Sequence, residues 1–260
     1  MVADPIHSDL ARRLATARVD QRATAPAPRD LTPEEAYTVQ SRTVALLGGP
    51  ISGYKIGLTT PRAQAAFAWL HPIAGRLRPN DLVQSPACLI EGRFQRFAEA
   101  ELLFEIGDDL PASAAPFSEA DVAARISGLL AGIELCASRY AHEEVTIAEL
   151  IADNGNADLL VVGSRLAAGW DDSFAALPVT LHRNGQEPVA GATSAVLGNP
   201  LRSVVWLANW LAARGEGLQR GQIIASGSCT GITALDGEEQ LTADFGGLGA
   251  ASVTIAPARH

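Results

Sequence analysis

Residues 97–106 read FAEAELLFEI, which sets Glu99, Glu101 and Glu105 in a run with the composition of a buried strand. A charged carboxylate is costly to bury unless something compensates it. On a strand, side chains two apart share a face, roughly 6.5–7 Å apart along the chain. Glu99 and Glu101 are therefore spaced to converge on one divalent cation. Hard cations such as Mg²⁺ and Mn²⁺ take oxygen ligands and leave positions for water and substrate. A solvated strand face with alternating charge is the other reading of the same spacing. Glu105 shares the parity but lies four residues beyond Glu101, out of reach of such a site.

Other residues could complete a site. Glu134 sits between Ile133 and Leu135 and is either a third carboxylate ligand or the ion-pair partner of Arg139. Lys55 lies in the Gly-bounded segment SGYKIGLTT (52–60). Beside a metal and a dry wall its pKa would fall and it could act as acid or base; on an edge strand it would snorkel to water. Asp153 and Asn154 fall at a turn before an apolar strand, where both residue types are common for local reasons. In IIASGSCTG (223–231), Ser226 and Gly227 end a strand, and their hydroxyl and backbone N–H could hold a carboxylate or enolate oxygen. An ordinary Gly-rich turn fits them equally. No phosphate-binding or dinucleotide-binding glycine pattern and no Gly-x-Ser-x-Gly elbow occurs, and the five histidines show no ligand spacing. Cys229 reads as a small packing residue.

The elements that would carry these residues change character along the chain. Residues 8–18 suggest a short amphipathic helix, followed by a Pro/Ala linker over 22–30. At 32–35, Thr32 as N-cap, Pro33 at the first helical position and Glu35 closing a capping box predict a helix to about Leu47, ended by Gly48, Gly49 and Pro50. From Gly53 onward short apolar or alternating runs alternate with Gly, Pro, Asn and Asp: YKIGLT, ACLIEG, AELLFEI, LLVVGSRL, PVTLHRNG, QIIASGS, QLTADF and ASVTIA. These read as strands. Two helices are predicted among them, over 118–130 and from Asn199-Pro200 to near Gly215. Helices are too few for regular βαβ alternation, which argues against a doubly wound sheet. The division is an N-terminal helical section, 1–50, and a β-rich domain, 51–260, forming one continuous unit of the α+β class.

Bulk properties narrow the function. With 260 residues and 47% hydrophobic content the chain can bury a sizeable core. Its net charge of −9 disfavours nucleic acid and anionic membranes as partners, while leaving room for an anionic substrate in a locally basic pocket. Three widely spaced cysteines without a CxxC pair suit a reducing compartment. The first 20 residues carry no apolar core of signal-peptide length, and no apolar run approaches the ~20 residues of a membrane span. A cytoplasmic protein is expected.

Taken in order, GYKIGLT, AEAEL, IEL-x₃-RY, IADN, LGNPL-x₄-WLANWLAARGEGLQRGQII and FGGLGAASV resemble the 2-keto-4-pentenoate hydratase / 2-oxohex-3-enedioate decarboxylase group of the fumarylacetoacetate hydrolase superfamily. The resemblance spans Thr32 to Pro257. It implies a β-rich fold, a mixed rolled sheet or distorted barrel with an N-terminal helical section. It implies a Mg²⁺ or Mn²⁺ site formed by Glu99, Glu101 and Glu134, with Lys55 as acid/base. It places Asp153 in the active site as a second catalytic group, with Asn154, Ser226, Gly227 and Ile73 on the substrate side. Homo-oligomers, dimers or larger, are the group's habit.

The implied activity is addition of water to a 2-hydroxy-2,4-dienoate, giving a 4-hydroxy-2-oxo acid, in the catabolism of aromatic-ring cleavage products. One departure bears on it. Many hydratases of the group carry Pro-Asp-Phe/Tyr-Gly after the lysine strand, whereas this chain reads HPIAG, with Ile73 in place of the Asp. The group's decarboxylases often carry Pro-Ile-Tyr-Gly, and SRY (138–140) leans the same way. Decarboxylation of 2-oxohex-3-enedioate is therefore the alternative activity. An acylpyruvate-type C–C hydrolase, which needs a histidine base such as His71 near the carboxylates, and a non-catalytic partner subunit are further alternatives.

Overall fold

The structure is a computed structural model that describes residues 5–90, 94, 96–142 and 144–257. Its elements follow in chain order as α1 (Pro5–Asp20), α2 (Pro33–Leu47), β1 (Gly53–Gly57), α3 (Pro61–Ala66), β2 (Ile73–Leu77), β3 (Leu82–Gln84), β4 (Ala87–Ile90) and β5 (Arg96–Ile106). After these come α4 (Glu119–Ala123), β6 (Ile126–Ala137), α5 (Ile147–Ala152), β7 (Ala157–Ala167), β8 (Pro178–Arg183), β9 (Val189–Ala192), α6 (Leu201–Ala212), β10 (Ile223–Ser228), β11 (Thr233–Ala234), β12 (Glu239–Asp244) and β13 (Ala250–Ala256). Glu91 and Gly92 of the expected ACLIEG strand, and His260, lie outside the described residues.

The strands form two mixed sheets. The larger runs β2-β1-β10-β5-β6-β7-β3, with β11 added to β5; the smaller runs β4-β13-β12-β8-β9. Pairing is antiparallel except for β1–β10, β3–β7 and β4–β13. The expected α+β architecture is what forms. Leu102, Phe104, Leu129, Ala131 and Ile133 of the larger sheet pack in one core with Leu181, Leu241, Ala243, Val253 and Ile255 of the smaller. Helix α6 covers the same core through Leu201, Val204, Leu207, Ala208 and Leu211. No helix of the described residues is long and apolar enough to cross a membrane.

Local signals explain the N-terminal helices. Thr32 and Glu35 form the reciprocal capping box, Pro33 occupies the first turn, and Gly48 at φ 73° ends α2. Helix α1 is longer than expected. Leu10, Ala11 and Leu14 of α1 join Ala36 and Val39 of α2 in a second core completed by Ile73, Tyr140 and α5. The helical section thus packs directly on segments that flank the candidate site.

One expected helix does not form. The interval 118–130 is helical only over α4, and Ile126, Leu129 and Leu130 belong to β6. β6 is buried on both faces, so its apolar residues are nearly continuous and their spacing mimics a helical stripe. Eleven paired positions against β5 decide the outcome. Tertiary pairing overrides local propensity here.

Candidate active site

The carboxylates converge through strand register. Glu99 lies directly opposite Glu134 in the β5–β6 ladder, and Glu101 lies opposite Gly132. Alternation puts Glu101 on the same face as Glu99, and Cys136 on the same face as Glu134. Glu101 and Glu134 are buried, at 0% and 1% exposure, and Glu99 is half-buried. Glu105 points elsewhere: it accepts from Arg165 at 2.7 Å and from Ser127 at 2.9 Å near the surface. Leu77, Leu103, Leu130, Leu160, Val162 and Ala225 form the apolar wall beside the cluster.

Lys55 enters from β1. Its Nζ lies 3.2 Å from Glu134 Oε1 and donates to the Gly155 carbonyl at 2.9 Å. Of the two sequence readings of Glu134, the ion pair with Arg139 is not made; Lys55 is its partner. Space for the lysine depends on glycines. A Cβ at Gly75 would come within 3.0 Å of Lys55 Cγ and 2.4 Å of the Asn154 carbonyl, and one at Gly155 within 3.2 Å of Lys55 Cδ. Ile73 stands beside this slot, with its Cδ1 3.7 Å from where a Gly155 Cβ would be. It is a buried apolar wall of the slot, at 1% exposure.

Residues 154–156 are an unusual device. Asn154, Gly155 and Asn156 all take left-handed backbone, at φ 58°, 65° and 60°. Such a run costs most residues about 1–2 kcal/mol each, and Gly and Asn tolerate it best. The turn aims the Gly155 carbonyl at Lys55. Asp153 and Asn154 hold it there. Asp153 accepts from the Arg139 backbone N–H at 2.7 Å and from Arg139 Nε at 2.6 Å, with the pair fully buried. Asn154 accepts from the Arg76 N–H through Oδ1 at 2.7 Å and donates to the Arg76 carbonyl through Nδ2 at 2.8 Å. Both residues expected at the site, Asp153 and Asn154, thus have their side chains engaged with Arg139 and Arg76 beside the loop.

Ser226 and Gly227 form a bulge in β10, where the register against β5 shifts between Ala225 and Ser228. Gly227 has φ 119°, and its N–H donates to Glu101 Oε2 at 2.8 Å. Thr59 packs so closely that a Cβ at Gly227 would fall 2.3 Å from its Oγ1. Bulges re-aim groups in this way near active sites. The Ser226 hydroxyl is buried without a hydrogen-bond partner.

The electrostatics of the cluster are those of crowded, buried carboxylates. Burial, then the charge of Glu134, pushes Glu99 up to about 7, against the pull of Lys55. Burial, then Glu134 and Glu99, raises Glu101 well above the usual carboxylate range, against Lys55 and the Gly227 N–H. Burial alone would lower Lys55, but Glu134 foremost, with Cys136, Glu99 and Glu101, raises it on balance. Glu101 Oε1 and both Glu134 oxygens are buried without a well-formed hydrogen bond. Three carboxylates crowded on one lysine, with orphaned oxygens between them, fit a hard divalent cation.

Two contributors escaped the sequence reading. The Gly155 carbonyl carried no side-chain signal. Cys136 did: it follows Glu134 by two residues in a strand, which fixes a common face. The described histidines have other neighbours. His142 meets Glu149 at 3.2 Å, His7 meets Glu35 at 3.6 Å, His71 stands edge-on to Trp69, and His182 is exposed on β8. Among the described residues the cluster gathers no histidine.

Fold and site together define a class: a β-rich α+β protein in which a mixed sheet sets buried carboxylates against a lysine. The profile of the fumarylacetoacetate (FAA) hydrolase C-terminal family matches residues 61–256, and the chain belongs to that family. It is 31% identical to a 4-oxalocrotonate decarboxylase of Pseudomonas putida, covering 86% of this chain and 85% of that one. It is also 31% identical to a 2-keto-4-pentenoate hydratase of Paraburkholderia phymatum, covering 92% and 94%. Among solved structures, 4-oxalocrotonate decarboxylase from Pseudomonas putida G7, complexed with magnesium and adipate, superposes with a TM-score of 0.87 at 28% identity, covering 97% of each chain.

Proposed function

We propose that the protein is a divalent-metal-dependent lyase that hydrates a 2-hydroxy-2,4-dienoate of the 2-keto-4-pentenoate type to a 4-hydroxy-2-oxo acid. The observation that carries this is the meeting of Glu99, Glu101 and Glu134 with Lys55 on one buried sheet face. Relatives named for this hydratase activity support it. Glu99, Glu101 and Glu134 would hold Mg²⁺ or Mn²⁺, which supplies Lewis-acid polarisation to a substrate carboxylate and its neighbouring oxygen.

The chain's own groups do the rest. Lys55 holds a proton at Nζ, kept in place by the Gly155 carbonyl and Glu134. During dienol-to-enone conversion Lys55 would give its Nζ proton to C5, and the neutral amine so formed would take up the proton that leaves O2. Water then adds, its oxygen to C4 and a proton to C3. The Gly227 N–H fixes the direction of Glu101, and the free Ser226 hydroxyl can donate to substrate oxygen. Asp153 and Asn154 act as positioning residues for the Gly155 carbonyl. A homo-oligomer working in the cytoplasm, in the breakdown of aromatic-ring cleavage products, belongs to the same proposal.

Decarboxylation of 2-oxohex-3-enedioate is the second reading. It is favoured by Ile73, which puts an apolar wall beside Lys55, and by the decarboxylase relatives. Proton NMR with Mg²⁺ separates the two. Conversion of 2-hydroxypenta-2,4-dienoate to 4-hydroxy-2-oxopentanoate establishes the hydratase. Reaction of 2-oxohex-3-enedioate alone, with loss of CO₂, establishes the decarboxylase.

A further inference from the structure

Cys136 has no place in the chemistry above, yet its sulfur borders the same carboxylates. Its Sγ lies 3.8 Å from Glu99 Oε2. One donor atom each from Glu99, Glu134 and Cys136 lie within 4.8 Å of one another. Glu101 is not among these three; its Oε2 already accepts from the Gly227 N–H, which leaves Oε1 open. Two donor sets therefore overlap: an all-oxygen set of three glutamates, and a mixed set of two carboxylates and a thiol.

The two sets differ in what they select. Oxygen-only ligands suit Mg²⁺ and Mn²⁺, whereas thiolate favours softer or borderline ions such as Zn²⁺ and Co²⁺. Zn²⁺ accepts both thiolate sulfur and carboxylate oxygen and prefers tetrahedral coordination, with Zn–S about 2.3 Å and Zn–O about 2.0–2.2 Å. Donors separated as they are here need only a small contraction to reach that geometry. A buried thiol alone would be an ordinary packing residue. The second observation is Glu134: it is 1% exposed, and while its Oε1 lies 3.2 Å from Lys55 Nζ, its Oε2 is buried without a partner.

We infer that Cys136, with Glu99 and Glu134, forms a second cation site of mixed sulfur and oxygen donors that captures Zn²⁺ or Co²⁺ in competition with the all-oxygen set. This rests on the reading of the glutamate cluster as a metal site and adds a metal selectivity to it. On binding, a metal–sulfur bond forms and the thiol proton is released to solvent. The functional consequence is that thiophilic ions displace the working cation and draw Glu99 and Glu134 away from Glu101. Zn²⁺ is then an inhibitor with a built-in docking point.

The test is a Co²⁺ titration of the metal-stripped, full-length protein, followed by ultraviolet–visible absorption. The expected result is visible d–d bands together with a near-ultraviolet thiolate-to-Co²⁺ charge-transfer band, saturating at one ion per chain. Cys136→Ser should lose the charge-transfer band, keep its circular dichroism and lower the ratio of Zn²⁺ to Mg²⁺ affinity by at least about tenfold. Cys88→Ser, altering an exposed thiol, should change neither. Visible bands without charge transfer in the wild type, or a charge-transfer band that persists in Cys136→Ser, would overturn the inference and leave the carboxylate site standing. No Co²⁺ binding at all would remove both.

Discussion

Glu99 and Glu134 face each other across the β5–β6 ladder, two carboxylates at a directly opposed position of an antiparallel pair. Like charges so placed destabilise a sheet. Among the described residues Lys55 is the cation that pairs with Glu134 and offsets the charge of Glu99 and Glu101. The fold therefore carries a local electrostatic penalty where its sequence concentrates reactive groups.

That penalty predicts a trade of stability against function. In metal-free protein, Glu99→Gln should raise the unfolding free energy by about 0.2–1 kcal/mol, since it removes the opposed charge. Mg²⁺ is expected to raise the Tm of the wild type, and the same substitution should abolish that rise. Differential scanning calorimetry with and without Mg²⁺ measures both. An unchanged Mg²⁺-induced shift would remove Glu99 from the ligand set.

Lys55 separates proton transfer from metal binding. Lys55→Met should lower kcat by about 10²–10⁴, the usual contribution of a positioned acid or base. It also removes a cation that competes for the glutamates, so Mn²⁺ affinity should hold or rise. Steady-state kinetics paired with Mn²⁺ calorimetry decide the point. A large loss of Mn²⁺ affinity with kcat preserved would contradict the assigned role.

The Asp153–Arg139 pair supports the left-handed turn. Removing one partner of a buried pair leaves the other charge uncompensated, so Asp153→Ala should cost about 3–5 kcal/mol in urea unfolding. Activity in the still-folded fraction should drop through kcat rather than KM, because the Gly155 carbonyl no longer fixes Lys55. Full stability in this variant would deny Asp153 its structural role.

Glu149 gives a pH dependence with a definite sign. Burial alone would raise its pKa, but the N–H groups of Thr146 and Ala27, together with His142, lower it on balance. A carboxylate lowered on folding contributes stability that is present above the unfolded value of about 4.3 and lost as pH falls through the folded one. Glu149→Gln should therefore be less stable than wild type by about 1–3 kcal/mol at neutral pH, with the gap closing below about pH 4. Urea titrations at the two pH values test this. A gap that stays constant would mean that charge is not the source.

How far the sequence revealed this arrangement depended on whether the signal was local. The Thr32–Glu35 capping box and the start of α6 after Asn199-Pro200 involve neighbours in the chain, and both were legible. The i, i+2 spacing of Glu99 and Glu101 fixed a shared face as soon as the segment was read as a strand. Residues 126–130 misled because a strand buried on both faces loses its alternation. The exchange of Arg139 for Lys55 as the partner of Glu134 could not be read, because it depends on strand order β1-β10-β5-β6 rather than on any local pattern. The loop-shaping role of Asp153 and Asn154 was hidden for the same reason: their partners Arg139 and Arg76 belong to distant segments.

The most direct test of the account is the stoichiometry of Mn²⁺ binding, by electron paramagnetic resonance, in wild type and Glu101→Gln. The wild type should bind one Mn²⁺ per chain and turn over a 2-hydroxy-2,4-dienoate or 2-oxohex-3-enedioate only when loaded. Glu101→Gln should keep its circular dichroism, lose Mn²⁺ affinity by at least about tenfold and lose turnover. Wild-type affinity and full turnover in Glu101→Gln would contradict the metal assignment and the lyase chemistry built on it.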